Sequence, residues 1–306
     1  MSIERDLGEM QTLRDVLRWS VSRFRQAGLF FGHGTDNAWD EARWLVLGAV
    51  SLPHDSPDWV LDARLATPER ERLSTLLRRR IVERVPTAYL LGEAWFAGLR
   101  FAVDQRVLIP RSPIAELLEA GPEPWLAVRQ PERILDLCCG SGCIGIAAAL
   151  RFPDARVDLA DISSDALALA RQNVQAHGVA GSVRVIESDL FAALSGETYD
   201  LILCNPPYVD AADMASLPPE FHHEPRLGLA AGQDGLDLAR RILAAACARL
   251  TNDGLLVLEV GNSAEALETA FPDTPFLWPE FENGGAGVAL LAATDLPRSV
   301  APGMPV

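Results

Sequence analysis

The stretch DLILCNPPYVD ends a buried-looking run in Asn205-Pro206-Pro207-Tyr208, and those residue types suit one kind of chemistry. Leu201 to Cys204 are apolar, and then come an amide, two prolines and an aromatic ring. Neither proline has an N–H, so the backbone can neither continue a strand ladder nor open an ordinary helix. The prolines hold the Asn205 side-chain oxygen and the Pro206 carbonyl rigidly, as two acceptors for the two N–H bonds of an NH2 group. An amide or aromatic amine is a poor nucleophile because its lone pair is delocalised. Methyl transfer to such a nitrogen needs it held in line with a methyl–sulfur bond, with electron density drawn from its N–H bonds. Tyr208 offers a ring face to a flat group or to a cationic sulfonium. Asn-Pro alone marks a turn; at the end of a buried strand, beside the motif described next, it points to chemistry.

Asp136 through Gly145, DLCCGSGCIG, carries a strand into a loop and then a helix. Gly140, Ser141 and Gly142 let a ligand approach the backbone, and the helix start attracts a negative group. Gly140, Gly142 and Gly145 satisfy G-x-G-x-x-G by letter, so an NAD-binding turn or a plain packing turn also fits this motif. Asp161 ends the next strand, 19 residues beyond Gly142, where a carboxylate can accept from both ribose hydroxyls of an adenosine. After the third strand, Asp189 is placed to accept from an adenine amino group and Leu190 or Phe191 to cover the ring. All of these lie at the carboxyl ends of consecutive strands, where open α/β sheets bind ligands. An NAD enzyme has no use for the Asn205–Tyr208 corner and would need a proton donor beside it; methyl transfer to nitrogen uses the corner.

The elements that must position these residues are legible as two patterns. Residues 1–94 read as a helical domain: Leu13, Val16, Leu17, Val21 and Phe24 recur at helical spacing, Asp36 caps a second helix, and Thr67-Pro68 starts a third that Pro86 stops. This domain is expected to recognise the substrate, through residues that spacing does not identify. Residues 95–112 read as a hairpin linker, and 113–296 as the catalytic domain. From Arg133 strands and helices alternate, which implies a parallel sheet covered on both faces. FLWPEF, Asn283-Gly284 and AGVALLA look like a hairpin that makes the last strand antiparallel. The tail, 297–306, reads as disordered.

The chain has 306 residues with 49% hydrophobic and 23% charged, enough for about two domains. Its net charge of −15 disfavours broad nucleic-acid binding. Cys138, Cys139, Cys143, Cys204 and Cys247 are odd in number and lack a C-x-x-C pair, which implies free thiols in the cytoplasm, with no disulfide frame and no metal site. No histidine lies near them, so no cysteine nucleophile is expected; His222 and His223 read as surface loop residues. MSIERDLGEM has no signal-peptide core, and no run approaches the length of a membrane span.

These residues resemble the S-adenosylmethionine-dependent methyltransferases of the seven-stranded Rossmann-like class. NPPY is similar to the amino-methylating branch, which includes DNA adenine and protein glutamine enzymes. PTAYLLGEAWFAGLRF and VLIPRSPIAELL narrow the resemblance to the protein-glutamine N-methyltransferases. RSPIAELL and HEPRLGLAAGQDGLDLARRIL resemble the branch acting on large-subunit ribosomal protein L-three rather than the branch acting on peptide-release factors. The resemblance implies an α/β sheet of seven strands, S-adenosyl-L-methionine as cofactor, and direct in-line displacement on a glutamine amide. It implies that Gly140 and Gly142 face the cofactor's methionine part, that Asp161 holds the ribose, and that Asp189 and Leu190 lie near the adenine. Asp136, Ser141 and Asn205 complete the cofactor set; Asn205, Pro206, Pro207, Tyr208 and Arg111 form the substrate set, with Asn205, Pro206 and Tyr208 catalytic. The class often has glycine where this chain has Cys138, so negative φ is expected there.

The alternatives are a release-factor substrate and, at greater distance, adenine-N6 methylation of a flipped base, which the acidic charge opposes. A non-catalytic cofactor-binding module has no need of both Asp161 and an intact NPPY. Arg70, Arg72, Arg78, Arg79, Arg80 and Arg84 form a basic cluster. It reads either as a solvated helix face balanced by Glu69, Glu71 and Glu83 or, through Arg78–Arg80, as a contact with ribosomal RNA.

Overall fold

A computed structural model describes residues 3–121, 130–282 and 284–296. The expected disordered tail and Asn283 of the expected turn lie outside them. The chain divides into two units: Met1–Ala94 with Val103–Gln105 and Pro218–His223, and Trp95–Ala102 with Arg106–Leu217 and the chain from Glu224 onward.

In the first unit, α1 (Ile3–Glu9) precedes α2 (Leu13–Gln26), α3 (Ala38–Ala49), α4 (Thr67–Ile81) and α5 (Thr87–Leu91). Thr12 and Asp15 form a capping box at the start of α2, each side chain accepting from the other's backbone N–H at 3.2 and 3.0 Å. All five apolar positions of its expected stripe are buried. The cap of α3 is Asn37 and not Asp36: Asn37 has the extended backbone and its Oδ1 accepts from Trp39 and Asp40, while Asp36 accepts from the Asn37 side chain at 2.6 Å. Helix α4 starts at Thr67-Pro68 but ends at Ile81, before Pro86, as the chain turns through Arg84 at φ 62°.

Arg80 departs from the expected exposed cluster. It shares the buried stripe of Leu73 and Leu77 and is 1% exposed, paired with Glu41 and, at 3.1 Å, with Glu220. Arg70 donates to the Leu7 and Met10 carbonyls, and Arg84 to Glu220 and the Ala27 carbonyl. Arg78 stays exposed and Arg79 partly exposed beside Glu83.

A short hairpin, β1 (Glu93–Phe96) and β2 (Leu99–Ala102), turns through Ala97 and Gly98, both at positive φ as a tight two-residue turn requires. After α6 (Ile114–Ala120) come β3 (Arg133–Leu137), α7 (Cys143–Arg151), β4 (Arg156–Asp161), α8 (Ser164–Ala176), β5 (Val183–Glu187) and β6 (Tyr199–Cys204). Then follow α9 (Ala211–Ser216), α10 (Asp237–Ala246), β7 (Leu250–Glu259), α11 (Ala264–Ala270) and β8 (Val288–Ala292). The strand order is β5-β4-β3-β6-β7-β8, parallel except for β8 against β7.

The two faces of the sheet bury separate cores. Ile134, Leu159, Leu201 and Val257 pack with residues of α6, α7 and α8; Leu135, Ile202, Cys204 and Leu256 pack with residues of α10 and α11. Burial on both faces explains why these strands read as apolar runs without alternation. Among the described residues six strands form this sheet, where seven are expected. In FLWPEF only Leu277 pairs, exchanging two backbone bonds with Leu290, because Pro275 and Pro279 flank it and have no N–H to donate. Among the described residues no helix is long and apolar enough to cross a membrane.

Candidate active site

The register of the central strands brings the motifs to one edge. Leu137 pairs with Ala160 of β4 on one side and with Cys204 of β6 on the other, so the residues that follow all three strands emerge together. The chain leaves β3 toward β4 and β5 and returns on the opposite side as β6 and β7, which opens a crevice at the carboxyl ends of β3 and β6. A cavity of about 310 Å³ lies there. Gly140, Ser141, Asp161, Asp189, Leu190, Asn205, Pro207 and Arg111 all line it. Asp136, Gly142, Pro206 and Tyr208 are not among its lining residues.

The loop after β3 is left-handed at Cys138, Gly140 and Gly142, with φ of 62°, 53° and 78°. Cys138 thus adopts the positive φ that the absence of glycine argued against. The Cys139 N–H bond to the Ala160 carbonyl at 3.1 Å and the Gly140 bond to Asp161 hold the turn against the side-chain strain of about 1 kcal/mol. A Cβ on Gly142 would come 2.9 Å from Leu159 Cδ1, and one on Gly145 2.2 Å from Leu159 Cδ2. A Cβ on Gly140, in contrast, would meet nothing within 4 Å, although Gly140 lines the cavity.

Two carboxylates serve this loop. Asp161 accepts from the Gly140 and Ser163 N–H groups, both at 2.9 Å. Asp136 is fully buried; its Oδ2 accepts from the Gly145 N–H at 2.8 Å, and its Oδ1 has no partner among the described residues. Burial pushes the Asp136 carboxyl up to about 8, with Asp161's charge adding to the effect, and burial raises Asp161 as well. Beyond β5, Leu190 sits at φ 47° in a turn braced by Ser188, whose hydroxyl donates to the Leu190 carbonyl at 2.6 Å. Asp189 is not free: Arg241 of α10 reaches both its oxygens at 2.8 and 2.9 Å.

At the corner, neither the Asn205 side-chain amide nor the Pro206 carbonyl has a hydrogen bond among the described residues. Tyr208 does not line the cavity. Its ring lies against Gly261, where a Cβ would be 2.5 Å from Tyr208 Cε2, and its hydroxyl donates to Glu259 at 3.2 Å. Arg111 lines the cavity with its guanidinium turned to Glu224, at 2.6 and 2.8 Å. Glu224 also accepts from the Ile109 N–H at 3.0 Å, which fixes the segment carrying Arg111.

Three of these partners escape the sequence reading: Arg241, Glu224 and Glu259. Glu224 and Arg241 lie within HEPRLGLAAGQDGLDLARRIL without any sign of their partners, and Glu259 stands out only as a carboxylate in the otherwise apolar run LLVLEV. Burial raises the Cys139 thiol and pushes Cys143 up to about 12, so neither supplies a thiolate nucleophile. His222 and His223 do not line the cavity. Among the described residues no group of three or more His, Cys, Asp or Glu is placed to hold a metal ion.

The donor set fits a cationic nucleoside. Open space over Gly140 and an acidic residue ending β4 leave room and negative charge for a ligand that carries positive charge, with the buried Asp136, one oxygen unpartnered among the described residues, beside the loop. The comparisons with known proteins agree with that chemistry. A family model described as Methyltransferase small domain matches residues 123–224. The ribosomal protein uL3 glutamine methyltransferase of Bordetella pertussis is 52% identical over 291 residues, covering 94% of this chain and 97% of that protein. Its counterpart in Francisella tularensis is 47% identical over 291 residues, covering 95% and 93%. That of Xanthomonas campestris is 52% identical over 288 residues, covering 94% and 93%. Among solved structures, the hMettl16 catalytic domain in complex with MAT2A 3'UTR hairpin 6 has a TM-score of 0.52 at 16% identity. It covers 77% of this chain and 84% of that one, a likeness of fold. With about half of its residues identical over nearly its whole length, the chain belongs to the family of the ribosomal protein uL3 glutamine methyltransferases.

Proposed function

We propose that the protein transfers a methyl group from S-adenosyl-L-methionine to the side-chain amide nitrogen of a glutamine in ribosomal protein uL3. The observation that carries this is the pair of uncommitted acceptors at the corner: Asn205 and the Pro206 carbonyl, rigid and without hydrogen bonds among the described residues, beside a cavity suited to a cationic nucleoside. Bound there, the cofactor supplies an electrophilic methyl group on a cationic sulfur. Gly140 and Ser141 would face its methionine part, Asp161 the ribose, and Asp189 with Leu190 the adenine. Asp136 and Gly142 act from behind, by fixing the loop.

Asn205 Oδ1 and the Pro206 carbonyl each accept one N–H of the substrate amide. That holds the nitrogen lone pair in one direction and raises its electron density, so orientation does most of the work. Pro206 and Pro207 keep both acceptors in place without a cost of reorganisation. Arg111 contributes through Glu224, as part of the wall. The amide proton leaves to water once the new N–C bond has formed. A ribosomal-protein substrate sets the reaction in the cytoplasm. We assign the helical unit, residues 1–94, to substrate recognition; of Arg78–Arg80, the exposed Arg78 and the partly exposed Arg79, and not the buried Arg80, are available to ribosomal RNA.

The test is transfer of labelled methyl groups into purified uL3, a peptide-release factor and duplex DNA, with Asn205→Ala run beside the parent. Label confined to a uL3 glutamine and reduced at least about 100-fold in the variant is the expected result, the scale of losing one preorganised polar group. Label in the release factor overturns the substrate, and label in DNA overturns the reaction class.

A further inference from the structure

Glu259 closes β7 at the end of an apolar run, 3% exposed, next to the corner but outside the cavity lining. A buried carboxylate is costly, and an apolar residue of similar size would suit the core. Its hydrogen-bond partners are both residues of the site. The Ser112 hydroxyl donates to Oε2 at 2.5 Å and the Tyr208 hydroxyl to Oε1 at 3.2 Å. Ser112 lines the cavity and its oxygen also accepts from the Ile114 N–H at 3.1 Å, so the hydroxyl is fixed from two sides. On its other side the Tyr208 ring is stopped by Gly261. One carboxylate therefore joins the cavity wall at Ser112 to the corner at Tyr208.

We propose that Glu259 is a positioning residue for methyl transfer: its two oxygens clamp Tyr208 to Ser112 and so hold the Asn205–Tyr208 corner at a fixed distance from the cavity wall. This rests on the assignment of that corner to the substrate amide. Glu259 does not line the cavity, so its removal is expected to act on the rate and leave cofactor affinity alone. Burial pushes its carboxyl up to about 7, and Ser112, Tyr208 and the nearby Arg111 oppose that shift in favour of the ionised, doubly accepting form.

The experiment is a double-mutant cycle with Glu259→Gln, Tyr208→Phe and the double variant. It measures kcat and KM on uL3, S-adenosylhomocysteine affinity by calorimetry, and melting temperature. Each single variant is expected to lower kcat by about tenfold to a hundredfold, as misplacement by a fraction of an ångström does. Homocysteine-nucleoside affinity stays within about twofold, and the double variant is no slower than the worse single, because the two groups act as one. Losses that multiply in the double variant overturn the proposal, as does parental kcat in Tyr208→Phe. So does a fall in melting temperature with kcat of the folded fraction unchanged. Should Glu259→Gln not fold, Ser112→Ala with Tyr208→Phe forms the same cycle, since both act through Glu259. Asn205→Ala separates the two claims. If it is inactive while Glu259→Gln is fully active, only the positioning role fails; if it is active, the assignment of the corner fails.

Discussion

Asp136 and Asp161 set two carboxylates against one backbone loop, and the more buried of them is the more perturbed. With its pKa near 8, Asp136 carries a proton in most molecules at pH 7. A cation bound in the cavity favours the ionised form, so binding S-adenosylmethionine releases part of that proton and tightens as pH rises from 6 to 8. Calorimetry at pH 7 in buffers of different ionisation enthalpy should register a release of up to about one proton per site. Asp136→Asn should abolish it, and a binding enthalpy independent of buffer in the parent refutes the assignment. The same shift has a consequence for folding without cofactor. A carboxyl raised in the folded state favours folding fully below its unfolded pKa of about 4, and that contribution is lost as pH rises through about 8. Asp136 should therefore make the cofactor-free protein less stable at pH 8 than at pH 6, and saturating cofactor should narrow the difference.

At the scale of elements, α7 meets β3 and β4 through Gly145. A methyl group there would lie 2.2 Å from Leu159 Cδ2 and 2.8 Å from Asp136 Cβ, so Gly145→Ala must displace both or lift the helix. Overpacking of this kind costs about 1–3 kcal/mol, to be read as a lower urea midpoint together with weaker S-adenosylhomocysteine binding. An unchanged midpoint would mean that the strand relaxes freely. Gly145 was visible beforehand only as the third glycine of a fingerprint shared with NAD-binding turns, and its packing role was not. Strands β3, β4, β6 and β7 are legible because sheets buried on both faces demand unbroken apolar runs. The failed strand at FLWPEF is legible in hindsight through its prolines. Asn37 and Asp36 are equal capping candidates by composition, and backbone direction alone decides between them.

Arg80 is the clearer lesson. Its spacing from Leu73 and Leu77 put it on the buried stripe, but a count of arginines along α4 hides that. Arg80→Ala leaves Glu41 buried without its cation and Glu220 with Arg84 alone, and should destabilise the helical unit by about 3 kcal/mol. Arg78→Ala, on the exposed side of the same helix, should change stability by less than about 1 kcal/mol. Equal effects in denaturant titrations would contradict the burial of Arg80.

Over the whole molecule the balance is 27 basic against 42 acidic residues, a net charge of −15. That field repels nucleic acid at long range and attracts a basic protein, so charge acts on encounter, while the chemistry is that proposed for the corner and loop. The two contributions separate by ionic strength. Exposed charges lose most of their reach beyond about 10 Å in 0.1 M salt, whereas rigid acceptors at the corner do not depend on it. Raising salt from 50 to 500 mM should therefore increase KM for intact uL3 several-fold and leave kcat within about twofold. A short uncharged peptide containing the target glutamine should show a high KM that salt barely moves. If KM for uL3 is flat across that range, recognition is carried by local apolar contact, and the acidic surface has no part in choosing the substrate. If kcat falls instead, salt acts on the geometry of the site itself, and the separation between encounter and chemistry fails.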